Sequence, residues 1–247
     1  MIMDETLNAI KENIRNAQFR PTILSMLTNP FYFARKGLYQ NIASLSCYIK
    51  GSVLDVGCGH KPYKSLFATE KYVGLEIDSE ENRLNKHADI FYDGSMFPFE
   101  DSEFDSVVIN QVLEHVFEPN FFLSEVERVL KNEGLLLLTV PFIWDEHEVP
   151  VDYARYSSYG LSYLMKRHHF EIVELRKSVS GIRVIFQIFN AFLYKTLLPR
   201  NQKLSFLLTL LLLAPVNILG ELANLVAPNN EDLYLDNVIL AVLKKDD

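Results

Sequence analysis

A run of aliphatic residues that ends in a glycine turn, VLDVGCGHKP over residues 53–62, constrains this chain more than any other stretch. Val53, Leu54 and Val56 suit a buried strand, yet an acid, Asp55, sits inside the run. Gly57 and Gly59 let a ligand approach the backbone closely. A side chain at Gly57 is expected to fill the space that such a ligand takes. In an open parallel sheet that space lies at the carboxyl ends of the strands.

The rest of the chain supplies the sheet. Short apolar runs at 71–77, 88–93, 104–110, 135–141, 170–176 and 237–245 alternate with helical patterns. Residues 119–134 read as a helix with Pro119 early, Phe122, Val126 and Val129 on one face, and Gly134 at its end. This alternation predicts an α/β fold, a parallel sheet with helices on both faces. The first fifty residues read as helices. Leu7, Ile10 and Ile14 share one face, and a second helix starts with Asn29 as its cap and Pro30 at its first position.

Bulk properties narrow the class. The 247 residues are 49% hydrophobic, enough for one sizeable core. A net charge of −8 offers no basic surface to nucleic acid. Of the two cysteines, Cys47 and Cys58, the second lies in the glycine turn, so a reducing cytoplasm is expected rather than a disulfide. The first residues are charged and lack the apolar stretch of a signal peptide.

The turn also selects its ligand. The dinucleotide pattern G-x-G-x-x-G is half present, with Pro62 in place of the third glycine. A pyrophosphate site wants a helix N-terminus free of negative charge. Here Asp55, Glu76 and Asp93 set acids at three strand ends. They suit a ligand with hydroxyls and positive charge, which argues against a nicotinamide oxidoreductase.

The successive stretches VLDVGCG, YVGLEID, DGSMFPFEDSEFDSVVINQVLEHV and VERVLKNEGLLLLTVP resemble the ordered motifs of class I S-adenosylmethionine (SAM)-dependent methyltransferases, and the methyltransferase type 11-like group among them. The resemblance implies a Rossmann-like, seven-stranded, mostly parallel sheet whose last strand, DNVILAVLKK, is antiparallel. It implies N-terminal helices over 1–50, a SAM-binding core over 51–177, an apolar helical insertion over 178–236 and a final core strand over 237–247. SAM is the implied cofactor. Asp55, Gly57, Cys58 and Gly59 would surround its amino-acid part, and Glu76 its ribose hydroxyls. Asp93, Gly94 and Ser95 would flank the adenine, with Gln111 closing the far side. A non-catalytic protein of the same fold, binding a partner through the insertion, is the alternative.

The methyl acceptor has its own candidates. His115 follows the fourth strand and His147 the fifth; either could take a proton from an acceptor hydroxyl. The stretch WDEHEVPVDYARYSSYGL sets Trp144, Tyr153, Arg155 and Tyr156 as a mixed aromatic and polar wall. Arg155 equally suits an ion pair with Asp152 or Glu148. No metal is expected, because one loop does not make a convergent donor set. The stretch resembles one in bacterial methyltransferases of polysaccharide and glycolipid biosynthesis, which implies an oxygen of a sugar or lipid-linked acceptor. A small aromatic or quinone-like acceptor is the other option.

The insertion reads as two antiparallel helices, 181–198 and 203–227, joined at PRNQK. Residues 204–220 carry no charge, and Pro215 interrupts them. Three readings stay open: a lid or dimer interface, a membrane span, and a hairpin lying in one leaflet with Arg183, Lys195, Arg200 and Lys203 near the head groups. A single crossing would put the last strand on the far side of the membrane from its sheet. Arg183, Gln187 and Asn190 weaken the first helix as a span. The expected partners are therefore a small-molecule or lipid-linked sugar acceptor and, through 181–227, a membrane surface or a second copy. The expected location is the cytoplasm, its inner membrane face included.

Overall fold

The computed structural model describes residues 18–85 and 87–245. The helix expected around Leu7, Ile10 and Ile14 lies outside them. Seven strands form one sheet: β1 (Lys50–Val56), β2 (Ala68–Ile77), β3 (Ile90–Tyr92), β4 (Phe104–Asn110), β5 (Leu130–Pro141), β6 (Phe170–Ser180) and β7 (Tyr234–Leu243). Their spatial order is β3-β2-β1-β4-β5-β7-β6. Strands β1 to β5 pair in parallel, and β7 runs antiparallel to β5, with Leu137 opposite Leu240. The order reverses beside β1, so the carboxyl ends of β1 and β4 flank the crevice where such sheets bind ligands.

The chain divides into two compact units. One holds residues 41–177 and 236–245 and carries the sheet. Among the described residues, the α-helices longer than one turn are α1 (Tyr32–Leu45), α2 (Glu80–Asn85), α3 (Pro119–Val129), α4 (Ser158–Arg167), α5 (Ile182–Leu197), α6 (Gln202–Leu208) and α7 (Ala214–Val226). The core of the sheet unit joins Leu54, Val56, Val107, Ile109, Leu136 and Leu138 of the central strands to α3 and α4. Phe122, Val126 and Val129 form the buried face of α3, as their spacing predicts. The helix stops well before Gly134. Leu130 turns to extended backbone and pairs with Phe104, and the register then shifts so that Ser106 meets Leu135. Leu130 is fully buried, and its place in the sheet core outweighs the glycine signal further on.

The loop after β3 is anchored from α3. Arg128 donates to both carboxylate oxygens of Glu125, to the carbonyls of Phe97 and Phe99, and to Asp101. Glu125 also accepts the Phe97 amide at 2.7 Å. This side chain therefore fixes the strand-end segment that follows Asp93.

The second unit holds the described residues 18–40 with 178–235 and is helical. The described residues 18–40 thus group with the insertion and not as a segment of their own. Helix α1 starts at Tyr32, two residues later than the Asn29–Pro30 signal predicts. The Asn29 side chain accepts the Phe31 amide at 2.9 Å and no amide of the helix itself. The real cap is remote: Gln187 of α5 accepts the amides of Phe33 and Ala34 at 3.1 and 3.2 Å, and donates to the Pro30 carbonyl. A buried amide thus satisfies donors that every helix start leaves open.

Helices α5 and α7 pack antiparallel. Gly220 lets α7 approach, since a Cβ there would stand 3.0 Å from Phe186 and 2.8 Å from Phe33. Asn190 donates to Asn217 at 2.8 Å, and Asn217 donates to the carbonyls of Met26 and Asn29. Between α6 and α7, Thr209–Leu213 form a π-helical turn that keeps residues 202–226 continuous. Pro215 gives this turn its reason: it offers no amide to Leu211, and its ring needs the wider winding.

Gln187→Leu leaves two buried amides and one carbonyl without partners. It is expected to lower unfolding stability by roughly 2–4 kcal/mol, read from the urea midpoint of the helical signal.

Candidate active site

The ends of β1 and β2 build the first half of the site. Asp55 pairs in register with Gly74 of β2 and Val108 of β4, in the middle of the sheet. Its carboxylate accepts the Tyr72 hydroxyl at 2.7 Å. Burial pushes the Asp55 carboxyl up to about 7, against the pull of Tyr72 and Lys61. Beyond β1 the amides of Gly57 and Cys58 both donate to the Leu75 carbonyl, at 2.9 and 3.2 Å. Gly59 donates to the Glu76 carboxylate at 2.9 Å.

The two glycines have different duties. Gly57 has φ +65, and a Cβ there would stand 2.4 Å from Val112. A side chain at Gly57 thus strikes the chain's own core before it reaches any ligand, a correction to the sequence expectation. Gly59 has φ +47 and nothing within 4 Å of where a Cβ would be. Gly59 therefore faces open space. Cys58 is buried, and burial raises its thiol well above the usual range, so it serves as packing and not as a nucleophile.

Sequence reading missed Lys61 and Asp89. Lys61 pairs with Asp89 at 2.6 Å, and Asp89 also accepts the Gly74 amide at 2.7 Å. Gly74 makes the room: a Cβ there would lie 2.2 Å from the Lys61 stem. A basic residue two beyond Gly59 is the only sequence signal of this pair.

The remaining cofactor candidates sit at the next strand ends. Asp93 is exposed just past β3 and accepts both the amide and the hydroxyl of Ser95, forming a turn with Gly94 at φ +86. Gln111 follows β4 with φ +56 and donates its side-chain amide to Thr139 of β5 at 3.3 Å.

The second half of the site lies on β4 and β5. A short turn, Leu113–His115, follows β4. The loop after β5 is tied to it, because the Glu114 carbonyl accepts the amides of Tyr153 and Ala154 at 2.8 and 3.2 Å. His115 and His147, remote in sequence, meet with ring centroids 4.9 Å apart. The Glu114 side chain is fully buried beside them, and burial pushes its carboxyl up to about 8.

Arg155 takes the ion-pair role. Its Nη1 donates to Asp152 and the Ala154 carbonyl, its Nη2 to Asp152 and the Asp145 carbonyl, and its Nε to the Trp144 carbonyl. All five guanidinium hydrogens are engaged, so the side chain shapes the loop and has none to offer a substrate. Arg155 in turn holds Asp152 far below the usual carboxylate range. Trp144 and Tyr156 are half-buried, while Tyr153 is exposed and packs edge-on against Phe117. A hollow of about 580 Å³ lies at the other end of the strands, beside Lys50, Gly51 and Asp105. Asp105 there is already paired with Lys131 at 2.6 Å, and the hollow holds none of these residues.

Comparison with known proteins fits this geometry. A methyltransferase-domain family model matches residues 54–138, from β1 through β5. The matched segment, about a third of the chain, is similar to a methyltransferase domain. An uncharacterised protein of Methanocaldococcus jannaschii is 32% identical over 130 residues, covering 49% of this chain and 54% of that protein. A fatty-acid O-methyltransferase of Mycolicibacterium smegmatis is 34% identical over 115 residues, 41% of each chain. The chain thus spans about half the length of the curated relatives it matches. Among solved structures, the [4+2]-cyclase SpnF aligns with TM-score 0.56 and 19% identity over 87% of this chain and 84% of that one. Phosphoethanolamine N-methyltransferase 2 of Haemonchus contortus, in complex with SAM, aligns with TM-score 0.50 and 18% identity over 83% of this chain and 52% of that one. These likenesses show the fold, which this chain shares with a SAM-bound methyltransferase.

The raised Asp55 carboxyl has a consequence for stability. The unfolded chain ionises this group near pH 3.9, the folded chain only near 7. Folding stability should therefore fall as pH rises from about 4 to about 7 and level off above. Asp55→Asn keeps the acceptor for Tyr72, removes this loss, and is expected to raise the melting temperature relative to wild type at pH 8 but not at pH 4. Thermal melts of both proteins across that range check it.

Proposed function

We propose that this chain transfers a methyl group from SAM to an oxygen of a sugar or lipid-linked acceptor. The observation that carries methyl transfer is the joint placement of Asp55, the open Gly59 turn and Glu76 at the adjoining ends of β1 and β2. These residues fit the cofactor: two acids face a backbone cradle that a Cβ does not fill, and no phosphate needs a home. Asp55 would hold the ammonium, Glu76 the ribose hydroxyls, and the turn from Asp93 to Ser95 the adenine. Gln111, held by Thr139, would close the far side. SAM supplies a methyl group on a sulfonium, activated for displacement.

The chain's own residues then orient the acceptor and handle its proton. Alignment alone is worth roughly 7–11 kcal/mol of barrier. His115 and His147 stand together on the β4 and β5 ends, where an acceptor oxygen losing its proton finds a base. A base placed so contributes about 10²- to 10⁴-fold. Trp144, Tyr153 and Tyr156 would form the wall around the acceptor, with Arg155 holding the loop that carries them.

The lipid half of the reading is supported by the helical unit. Residues 202–226 make one helix of 25 residues with mean hydropathy 2.0, long and apolar enough to cross a membrane by length and composition. Only 28% of its most apolar window is buried. Leu211, Leu219, Leu222 and Leu225 face outward from it, as do Ile185, Phe189 and Phe192 from α5. So wide an apolar face suits a lipid surface at the cytoplasmic side of a membrane. Lys195, Arg200 and Lys203 gather near the hairpin tip, where head groups would meet them. Arg183 does not join them; it lies 3.9 Å from Glu221, which Lys36 also binds at 2.9 Å. One relative is named a fatty-acid O-methyltransferase, and a fatty acid is an oxygen acceptor on an apolar body, which supports a lipid-like acceptor.

Calorimetric titration with SAM, S-adenosylhomocysteine and NAD is expected to show micromolar binding of the first two and none of the third. Glu76→Ala should weaken SAM by about 10- to 100-fold, the worth of one or two charged hydrogen bonds; unchanged affinity would remove Glu76 from the site.

The membrane reading has its own check. Wild-type protein should float with vesicles of mixed neutral and anionic lipid, and Leu211→Asp with Leu222→Asp should abolish flotation. A soluble dimer that never floats would favour a protein interface instead.

A further inference from the structure

Glu114, His115 and His147 each present one donor atom, and the three atoms all lie within 4.8 Å of one another. Two come from the turn after β4 and one from the loop after β5, so two strand ends position them. Glu114 supplies a second, independent observation. Its side chain is fully buried, and neither carboxylate oxygen has a hydrogen-bond partner. A buried carboxylate in that state calls for a positive partner.

The imidazoles are set to supply lone pairs, not protons. His115 Nδ1 lies 2.7 Å from the Val151 carbonyl, which can only accept, so Nδ1 carries the hydrogen. Its Nε2 then points a lone pair toward Glu114, 3.8 Å away, and Glu148, 3.7 Å away. His147 Nδ1 lies 3.3 Å from the Asp145 carbonyl and 3.3 Å from the Asp152 carboxylate. Arg155 Nη2 is 3.4 Å from the same nitrogen, but its two hydrogens already serve Asp145 at 3.0 Å and Asp152 at 2.7 Å. His147 Nδ1 therefore donates, and its Nε2 is the basic nitrogen. Imidazoles fixed through Nδ1 by a carbonyl or a carboxylate are how proteins prepare metal ligands.

We propose that Glu114, His115 and His147 bind one divalent transition ion, zinc or a first-row neighbour. Donors around a tetrahedral ion with bonds of about 2.0–2.1 Å stand roughly 3.3 Å apart. The Glu114–His115 pair at 3.8 Å is within a small side-chain adjustment of that. Two imidazoles and one carboxylate select such an ion over magnesium or calcium, which want oxygen donors throughout. Three protein ligands leave a position open. On the methyltransferase reading, that position takes the acceptor oxygen and eases its deprotonation, a role that replaces an imidazole acting as the base. Ion binding itself does not depend on that reading.

The test uses the full chain without an affinity tag, freed of metal by chelator and titrated with Co²⁺. The expected result is a visible d–d absorption that saturates at one equivalent. His115→Ala and His147→Ala should each weaken Co²⁺ binding at least about 100-fold, beyond the roughly 10- to 100-fold that loss of an outer partner costs. Glu114→Gln should do the same, and His169→Ala, remote from the cluster, should change nothing. Titration of each variant with SAM separates loss of the ion site from loss of the fold. A wild-type chain that binds SAM but gives no saturable Co²⁺ spectrum would overturn the ion site alone. So would a spectrum that survives both His115→Ala and His147→Ala. A saturable Co²⁺ spectrum without SAM binding would uphold the ion site and sink the methyltransferase reading.

Discussion

The site depends on how β1 hands its turn over to β2. Gly57 and Cys58 give their amides to one carbonyl, that of Leu75, and Gly59 gives its amide to Glu76. Three residues of this turn, Gly57, Gly59 and Lys61, have positive φ, a conformation that nothing local would hold. The β2 contacts hold it. They work only because Gly74 leaves space for the Lys61 stem, whose ammonium meets Asp89. The same packing keeps Asp55 dry beside Tyr72. Around this turn Asp55, Glu76 and Asp89 stand against Lys61, with Lys64 also acting on Asp89, and the excess of acid favours a positively charged ligand over phosphate.

Periodicity carried the fold. Buried strands with apolar residues on both faces and helices with a single apolar stripe look different in one dimension, and acids at strand ends stand out against aliphatic runs. What stayed hidden was held by partners far apart in the chain. Gln187 looks like a blemish in an apolar helix, yet it caps a helix start more than 150 residues away. Arg128 reads as an ordinary surface charge at a helix end, yet five hydrogen bonds make it the anchor of the loop after β3. The local signals that failed, Asn29 as cap and Gly134 as stop, lost to burial of Leu130 and to the remote cap. His115 and His147 were both legible as candidates. Their meeting was not, since it needs the register of β4 on β5.

Fold and activity are separate claims here. The fold also houses a [4+2]-cyclase, so a seven-stranded sheet of this order does not by itself specify methyl transfer. The family match ends at Leu138, inside β5, and leaves the acceptor loop and the whole helical unit outside. In the helical unit, amide side chains tie the inner faces together while the outer faces remain aliphatic. Polar groups placed inside and apolar groups outside reverse the usual order of a water-facing helix pair.

The loop after β5 shows how charge can be used for shape alone. Arg155 binds Asp152 through two parallel hydrogen bonds and three carbonyls through the rest, closing residues 144–155 on themselves. With Arg155 saturated, Asp152 still reaches the amide and Nδ1 of His147, at 2.9 and 3.3 Å. The arginine thus acts on the chemistry at one remove: it fixes the carboxylate that fixes the imidazole. The Glu114 carbonyl pins the loop to the β4 end from the other side, and its carboxyl group stays buried with neither oxygen hydrogen-bonded. A loop organised to this degree, around an acid left unsatisfied, is organised for something that binds there.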